Sequence, residues 1–249
     1  MAKTISVAAS KGGTGKTTTS WNLAFGLSLA GAKVCLVDCD PQDNLRFIAG
    51  IESTASTVAA AIEGWEVEPV QLREEVWLLP GGGRKLFHAL QSADGLRTIS
   101  GPLRRTINGL GDSYDFVIFD CPPEFGRITQ AALSNSDYLL VPCVSTWLGL
   151  RSIEQMIEFI DAHPREGRID AERLSVIMTF YTTRRAGPEL VRREAKKMLR
   201  QRLFRTVIRE RTELDYSQET HQSIFEYSPH SDGAADYSSL TRELIRRLG

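Results

Sequence analysis

Long apolar runs are missing from this chain. The longest, such as Val34 to Val37 and Tyr138 to Val141, hold four or five residues, far short of the roughly 20 that a bilayer-spanning helix needs. A basic-then-apolar leader is missing too. The N-terminus opens MAKTISVAAS and reaches a Gly-rich loop by residue 12, which leaves no room for a secretory signal and makes the cytoplasm the expected compartment. Twenty Gly and ten Pro in 249 residues are too few for a collagenous or low-complexity chain, and 42% apolar residues are too many for a disordered one. Cysteine is scarce. Of the four, at 35, 39, 121 and 143, three lie within or at the end of strand-like apolar runs, where a thiol behaves as a small hydrophobe. Cys35 and Cys39 have metal-pair spacing, but in a strand they would stand about 13 Å apart, which disfavours a zinc or iron-sulfur site.

Short β-branched runs alternate with longer helix-period segments. Strands are expected at Thr4–Ala9, Lys33–Asp38, Glu75–Leu79, Asp115–Asp120, Tyr138–Val141, Leu174–Thr179 and Thr206–Ile208. Helices are expected around 16–30, 95–110, 127–134, 148–162, 188–203 and 235–248. This is the rhythm of an α/β fold, a mostly parallel twisted sheet flanked by helices on both faces. No repeat or linker interrupts it, so residues 1–249 read as one domain. The stretch from Gly50 to Gly83, with its loop Pro80-Gly81-Gly82-Gly83, reads as an elaboration of that domain.

Ser10-Lys11-Gly12-Gly13-Thr14-Gly15-Lys16-Thr17 follows the first strand and opens the first helix. Glycines there let successive backbone N–H groups converge on phosphate oxygens, and the helix N-terminus adds its positive dipole end. In a phosphate loop Lys16 reaches the β- and γ-phosphates and the Thr17 hydroxyl ligates Mg²⁺. The common form of the motif places Gly where this chain has Ser10.

With Lys11 ahead of its glycine pair, this segment resembles the deviant Walker A motif of the ParA and MinD class of P-loop ATPases. Val34-Cys35-Leu36-Val37-Asp38-Cys39-Asp40-Pro41-Gln42 resembles the second motif of that class, and Phe116-Val117-Ile118-Phe119-Asp120-Cys121-Pro122-Pro123 its Walker B. The likeness continues through Asp137–Pro142 to Ala234-Ala235-Asp236-Tyr237, and Asp40-Pro41-Gln42 is closer to ParA than to MinD. The resemblance implies a deviant Walker A ATPase that takes ATP and Mg²⁺ and forms a nucleotide-sandwiched homodimer, with Lys11 reaching the partner's ATP. Lys11, Gly12, Gly13, Thr14, Gly15, Lys16, Thr17 and Thr18 are expected at the nucleotide, with Lys11, Lys16 and Asp40 as the catalytic set. Asp38, Asp40 and Asp120 end their strands at the carboxyl edge, where open α/β sheets bind ligands. Asp120 is assigned to Mg²⁺ through water, Asp38 to the metal's outer shell and Asp40 to orienting the attacking water. Three departures stand out. Asp43 replaces a usual Gly and adds an acid near the metal, Ala131 replaces a usual Asn in the switch region, and Arg209-Glu210-Arg211 occupies the place of the adenine-binding segment. The guanine-specific NKxD signal is absent.

The net charge of −1 hides an asymmetry. Residues 184–211 carry eleven Arg or Lys against three acids. Val191, Ala195, Met198, Leu199 and Leu203 form an apolar stripe, and Arg192, Lys196 and Arg200 follow one another at i,i+4 on the opposite face, with Arg193 and Lys197 alongside. Like charges so placed cost a helix a few tenths of a kcal/mol per pair. Either they form a solvated basic face, or Arg184, Arg185, Arg192, Arg193, Lys196, Lys197 and Arg200 bind non-specific double-stranded DNA. With the resemblance, DNA binding implies a partition ATPase on the nucleoid, reset by a ParB-like centromere-binding partner. The alternative is a MinD-like membrane switch using a basic amphipathic ending, with Leu240, Leu244, Ile245 and Leu248 beside Arg242, Arg246 and Arg247. That segment coincides with the expected last helix, so core packing is its expected role and no stable membrane association is expected.

Overall fold

A computed structural model of the chain describes residues 2–110, 113–162, 173–182 and 186–249. The strands are β1 (Lys3–Val7), β2 (Val34–Asp38), β3 (Val70–Arg73), β4 (Val76–Leu79), β5 (Phe116–Asp120), β6 (Tyr138–Val144), β7 (Leu174–Tyr181) and β8 (Leu203–Arg209). They form one sheet in the order β3-β4-β2-β5-β1-β6-β7-β8, parallel throughout except for the β3/β4 pair. The helices are α1 (Lys16–Leu29), α2 (Asn44–Ile48), α3 (Val58–Ile62), α4 (Arg84–Ser92), α5 (Arg97–Leu110), α6 (Arg127–Ser134), α7 (Trp147–Ala162), α8 (Ala186–Leu199), α9 (Thr212–Glu219), α10 (Ile224–Tyr227) and α11 (Asp232–Leu248).

The central strands are continuous apolar runs because both faces of the sheet are covered. In β2, Cys35 and Val37 turn toward the layer formed by α3 to α8, while Val34 and Leu36 turn toward α1, α2, α9, α10 and α11. All four cysteines are free and buried, as small hydrophobes among these side chains. Of the amphipathic ending, Leu240 and Leu244 are fully buried against α1 and β8 together with Tyr237, Leu248 is partly buried, and Ile245 is exposed. No helix among the described residues is long and apolar enough to cross a membrane.

Several boundaries differ from the expectations, each for a local reason. β3 was not expected because Val-Gln-Leu-Arg is an alternating, half-exposed edge strand of four residues. α2, α3, α4, α9 and α10 are helices in stretches where the sequence pattern gives none. The helix expected to run to Leu203 ends at Leu199, because Arg200 turns left-handed (φ 51°) into a single 3₁₀ turn. Leu203 therefore starts β8 rather than continuing the helical stripe, and β8 is longer than expected at both ends.

The β6–α7 junction is tight. A Cβ at Gly149, in the first turn of α7, would collide with the backbone carbonyl of Val144, which cannot swing aside as a side chain could. Gly149→Ala is expected to cost about 1–3 kcal/mol. Urea unfolding should show a lower midpoint with an unchanged slope.

Candidate functional site

β1, β2 and β5 are adjacent and parallel, so their carboxyl ends deliver the Gly-rich loop, Asp38 and Asp120 to one edge. Asp38 and Asp120 are register partners. Gly13 and Gly15 take the left-handed φ values of 68° and 82° that the loop needs. Gly15 is also the residue that precedes α1, so the helix's first N–H groups open into the loop.

The side chains converge closely. Thr17 Oγ1 donates to Asp120 Oδ2 at 2.8 Å, and Ser20 Oγ donates to Asp120 Oδ1, also at 2.8 Å. Sequence reasoning missed Ser20. Its signal was the spacing, since it lies one turn beyond Thr17 on the same helix face. Burial pushes the Asp120 carboxyl up to about 6, against the pull of the two hydroxyls and of Lys16. Asp38 has no solvent exposure and accepts from the Asp40 N–H (2.9 Å) and the Leu45 N–H (3.1 Å). Burial first, and the Asp120 charge second, hold its carboxyl well above the usual range. Asp40 accepts from the Gln42 N–H at 2.9 Å. Lys16 is buried and donates to the Lys11 carbonyl at 3.1 Å. Desolvation lowers its ammonium pKa, while Asp120 and Asp40 act to raise it.

This donor set fits a metal-bound triphosphate. Ser10 Oγ and Thr14 Oγ1, both in the loop, are buried without a hydrogen-bond partner, as expected of groups that await a polar ligand. Among the described residues no three His, Cys, Asp or Glu side chains form a ready-made metal cage. Thr17 and Asp120 offer the one or two protein oxygens that Mg²⁺ takes beside waters and phosphate.

Lys11 is exposed and donates to the Leu148 carbonyl at 3.2 Å, beside the exposed side chains of Trp147 and Leu148. Thr18 Oγ1 accepts from Gln218 Nε2 at 3.1 Å. A small cavity of about 120 Å³ adjoins the loop, lined in part by Gly15, Thr18, Phe180, Ile208 and Tyr237. Arg209 and Arg211 reach the rim of this cavity, but their guanidiniums are tied to Asp236 and Asp232. Asp43 stands close enough for its charge to act on Asp38, but its own carboxylate is engaged by other donors. Its Oδ1 accepts from the Gly81 and Gly82 N–H groups and its Oδ2 from Arg46 Nε at 2.6 Å. Ala131 lies on the buried face of α6 and packs into the core.

The basic helix carries Arg192, Arg193, Lys196 and Lys197 as expected, while Arg184 and Arg185 lie outside the described residues. Its charge is partly neutralised: Arg193 pairs with Glu189 (3.2 Å) and Lys197 with Glu194 (3.0 Å). Arg192 donates to the Arg205 carbonyl at 2.8 Å and lies over the Tyr181 ring. Arg192, Arg193, Lys196 and Arg200 line a groove of about 940 Å³ together with Arg205 and Arg247, two residues the helical pattern could not assign to it.

A family model described as an AAA domain matches residues 2–170. The sporulation initiation inhibitor protein Soj of Bacillus subtilis is 29% identical over 98% of both chains. The chromosome partitioning protein ParA of Myxococcus xanthus is 28% identical over 98% of this chain and 88% of its own. The septum site-determining protein MinD of Pyrococcus horikoshii, solved with Mg-ADP, superposes with a TM-score of 0.80 at 24% identity, covering 100% of this chain and 98% of that one.

An acid whose pKa is higher in the folded than in the unfolded state favours folding in its protonated form. The Asp120 contribution is therefore full below about pH 4 and lost as pH rises through about 6. Without Mg²⁺, the stability of the wild-type chain relative to Asp120→Asn is expected to fall across that window by an amount on the order of 1–3 kcal/mol. Urea titrations in EDTA at several pH values measure it, and a pH-independent difference would contradict the placement of the carboxyl.

Proposed function

Because the chain belongs to this AAA-domain family and is a ParA/MinD-type deviant Walker A ATPase, we propose that it is a DNA-partition ATPase, one domain over residues 1–249. In this reading it dimerises with Mg-ATP, holds non-specific DNA and is reset when a ParB-like partner stimulates hydrolysis. The observation that carries the ATP chemistry is the 2.8 Å bond from Thr17 of the phosphate loop to Asp120, with Lys16 buried beside it.

The residue roles follow from position. Backbone N–H groups of residues 12–17 hold phosphate oxygens, with Lys16 turning from the Lys11 carbonyl toward the β- and γ-phosphates. Thr17 and Asp120 are the residues that would hold Mg²⁺, Thr17 by its hydroxyl and Asp120 through water, with Asp38 behind them. Mg²⁺, when bound, neutralises charge on the phosphates. Asp40, fixed by the Gln42 N–H, orients the attacking water. Thr18 closes the nucleotide side, and the cavity beside Gly15 receives the base. The unpartnered Ser10 and Thr14 hydroxyls find their acceptors in the ligand. Hydrolysis is slow in the protein alone, since the arrangement completes itself only with DNA and the partner.

Lys11 is the element that joins two copies: leaving the Leu148 carbonyl, it crosses to the partner's ATP. Non-specific double-stranded DNA binds the face carrying Arg184, Arg185, Arg192, Arg193, Lys196, Lys197 and Arg200, two such faces acting together in the dimer. A nucleoid-associated place in the cytoplasm follows. The burial of Tyr237, Leu240 and Leu244 speaks for this reading over a membrane switch.

Lys11→Ala is expected to abolish ATP-dependent dimerisation while leaving most of the monomer's nucleotide affinity. Sedimentation with a non-hydrolysable analogue, beside calorimetric titration of the nucleotide, checks both halves. The affinity for random duplex should fall steeply with salt, its logarithm by about 0.9 per phosphate contact for each tenfold rise. The variant Arg192→Gln/Arg193→Gln/Lys196→Gln/Lys197→Gln should lose that affinity and still hydrolyse ATP. Unchanged DNA binding in this variant would reject the assignment of the face.

A further inference from the structure

A second cationic surface lies on α5, away from both the nucleotide edge and the basic helix α8. Arg97, Arg104 and Arg105 are exposed on this helix, and together with Ser100, Gly101 and Ser134 they line a groove of about 750 Å³. Unlike Arg193 and Lys197 of α8, none of these three guanidiniums has an ion-pair or hydrogen-bond partner among the described residues. The polar floor of the groove is spent on itself. The Ser100 and Ser134 hydroxyls share a bond of 2.9 Å, and Asn135 Nδ2 donates to the Ser100 hydroxyl and carbonyl. The guanidiniums are therefore the groove's free donors.

The patch is short and bounded by charge of the opposite sign. Arg97 and Arg104 are two turns apart on one face, about 10.5 Å along the axis, and Arg105 is at about 12 Å. Asp94 stands at one end, and beyond Arg105 the adjoining groove carries Glu66 and Glu68. A DNA duplex, with a phosphate charge every ~1.7 Å of its axis, would extend well past the patch and over these acids. An extended peptide advances about 3.3 Å per residue, so four or five residues cover the patch, with alternate side chains about 6.6 Å apart on the side facing the helix. Two or three carboxylates in such a segment would meet three guanidiniums, whose planar fork suits carboxylate geometry.

From this we propose that the α5 groove is a docking site for an acidic, extended peptide segment of a partner protein. The site acts independently of the proposed DNA face and of nucleotide.

The probe is a fluorescein-labelled decaglutamate peptide titrated by anisotropy at low salt, without nucleotide. A decaglutamine peptide and a random duplex are run alongside. The expected result is saturable binding of the glutamate peptide, no binding of the glutamine peptide, and affinity weakened at least about tenfold in Arg97→Gln/Arg104→Gln/Arg105→Gln. The α8 quadruple variant should bind the glutamate peptide as the wild type does. The single variants Arg97→Gln and Arg104→Gln give the same reading, each with a smaller loss, should the triple variant not fold. The proposal is overturned if the glutamate peptide does not bind, if the α5 substitutions leave its affinity unchanged, or if the α8 variant is the one that loses it. It is likewise overturned if the duplex binds through Arg97, Arg104 and Arg105, which would make the groove a nucleic-acid surface.

Discussion

A carboxylate without solvent contact has to be held by donors or remain protonated, and the arrangement of this molecule turns on how Asp120 is held. Its two oxygens take the hydroxyls of Thr17 and Ser20, so one side chain at the end of β5 fixes the first two turns of α1 against the sheet. The Gly-rich loop, whose course is set by where α1 begins, is thereby placed over the strand ends. The cost of confining carboxylates here appears in both Asp120 and Asp38 being pushed up, chiefly by burial, with the Asp120 charge adding to the rise of Asp38 and the Asp40 charge to that of Asp120. An edge that stores like charge without water is primed for a cation.

Much of this was readable from residues alone. Apolar runs of four or five residues ending in Asp, and a glycine-lysine turn between a strand and a helix, are strong local signals. They locate β1, β2, β5 and α1 because both faces of these strands are covered and the turn needs left-handed φ values. What the sequence withheld depends on contacts between distant segments. Nothing near Asp43 announces that its carboxylate reaches Gly81 and Gly82, and its charge alone suggested a metal-side role. The short edge strand β3 has too few residues for a period to register. The end of α8 turns on one backbone angle at Arg200, in a stretch whose composition suits a longer helix. Arg205 and Arg247 come from β8 and α11, so no helical pattern could have grouped them with Arg192.

The two cationic surfaces differ in kind. On α8 the positive charge is interleaved with Glu189 and Glu194, exposed pairs that contribute little to stability but soften the local field. The α8 groove is wide and fed by several elements, which suits an extended polyanion. On α5 the cations are few, unneutralised within the helix and fenced by acids, which limits the size of what they can recognise. Net charge close to zero therefore conceals two anion-attracting surfaces of different reach.

Asp43 holds a left-handed conformation (φ 57°) three residues after Asp40, and its side chain is bonded to the two glycines that lead into α4. The turn that follows β2 is thus laced to the turn that follows β4. Any rearrangement around the γ-phosphate that moves the Asp40 backbone must either drag the start of α4 with it or break those bonds. The entry to α4 and the turn after β2 therefore share one carboxylate as their common anchor.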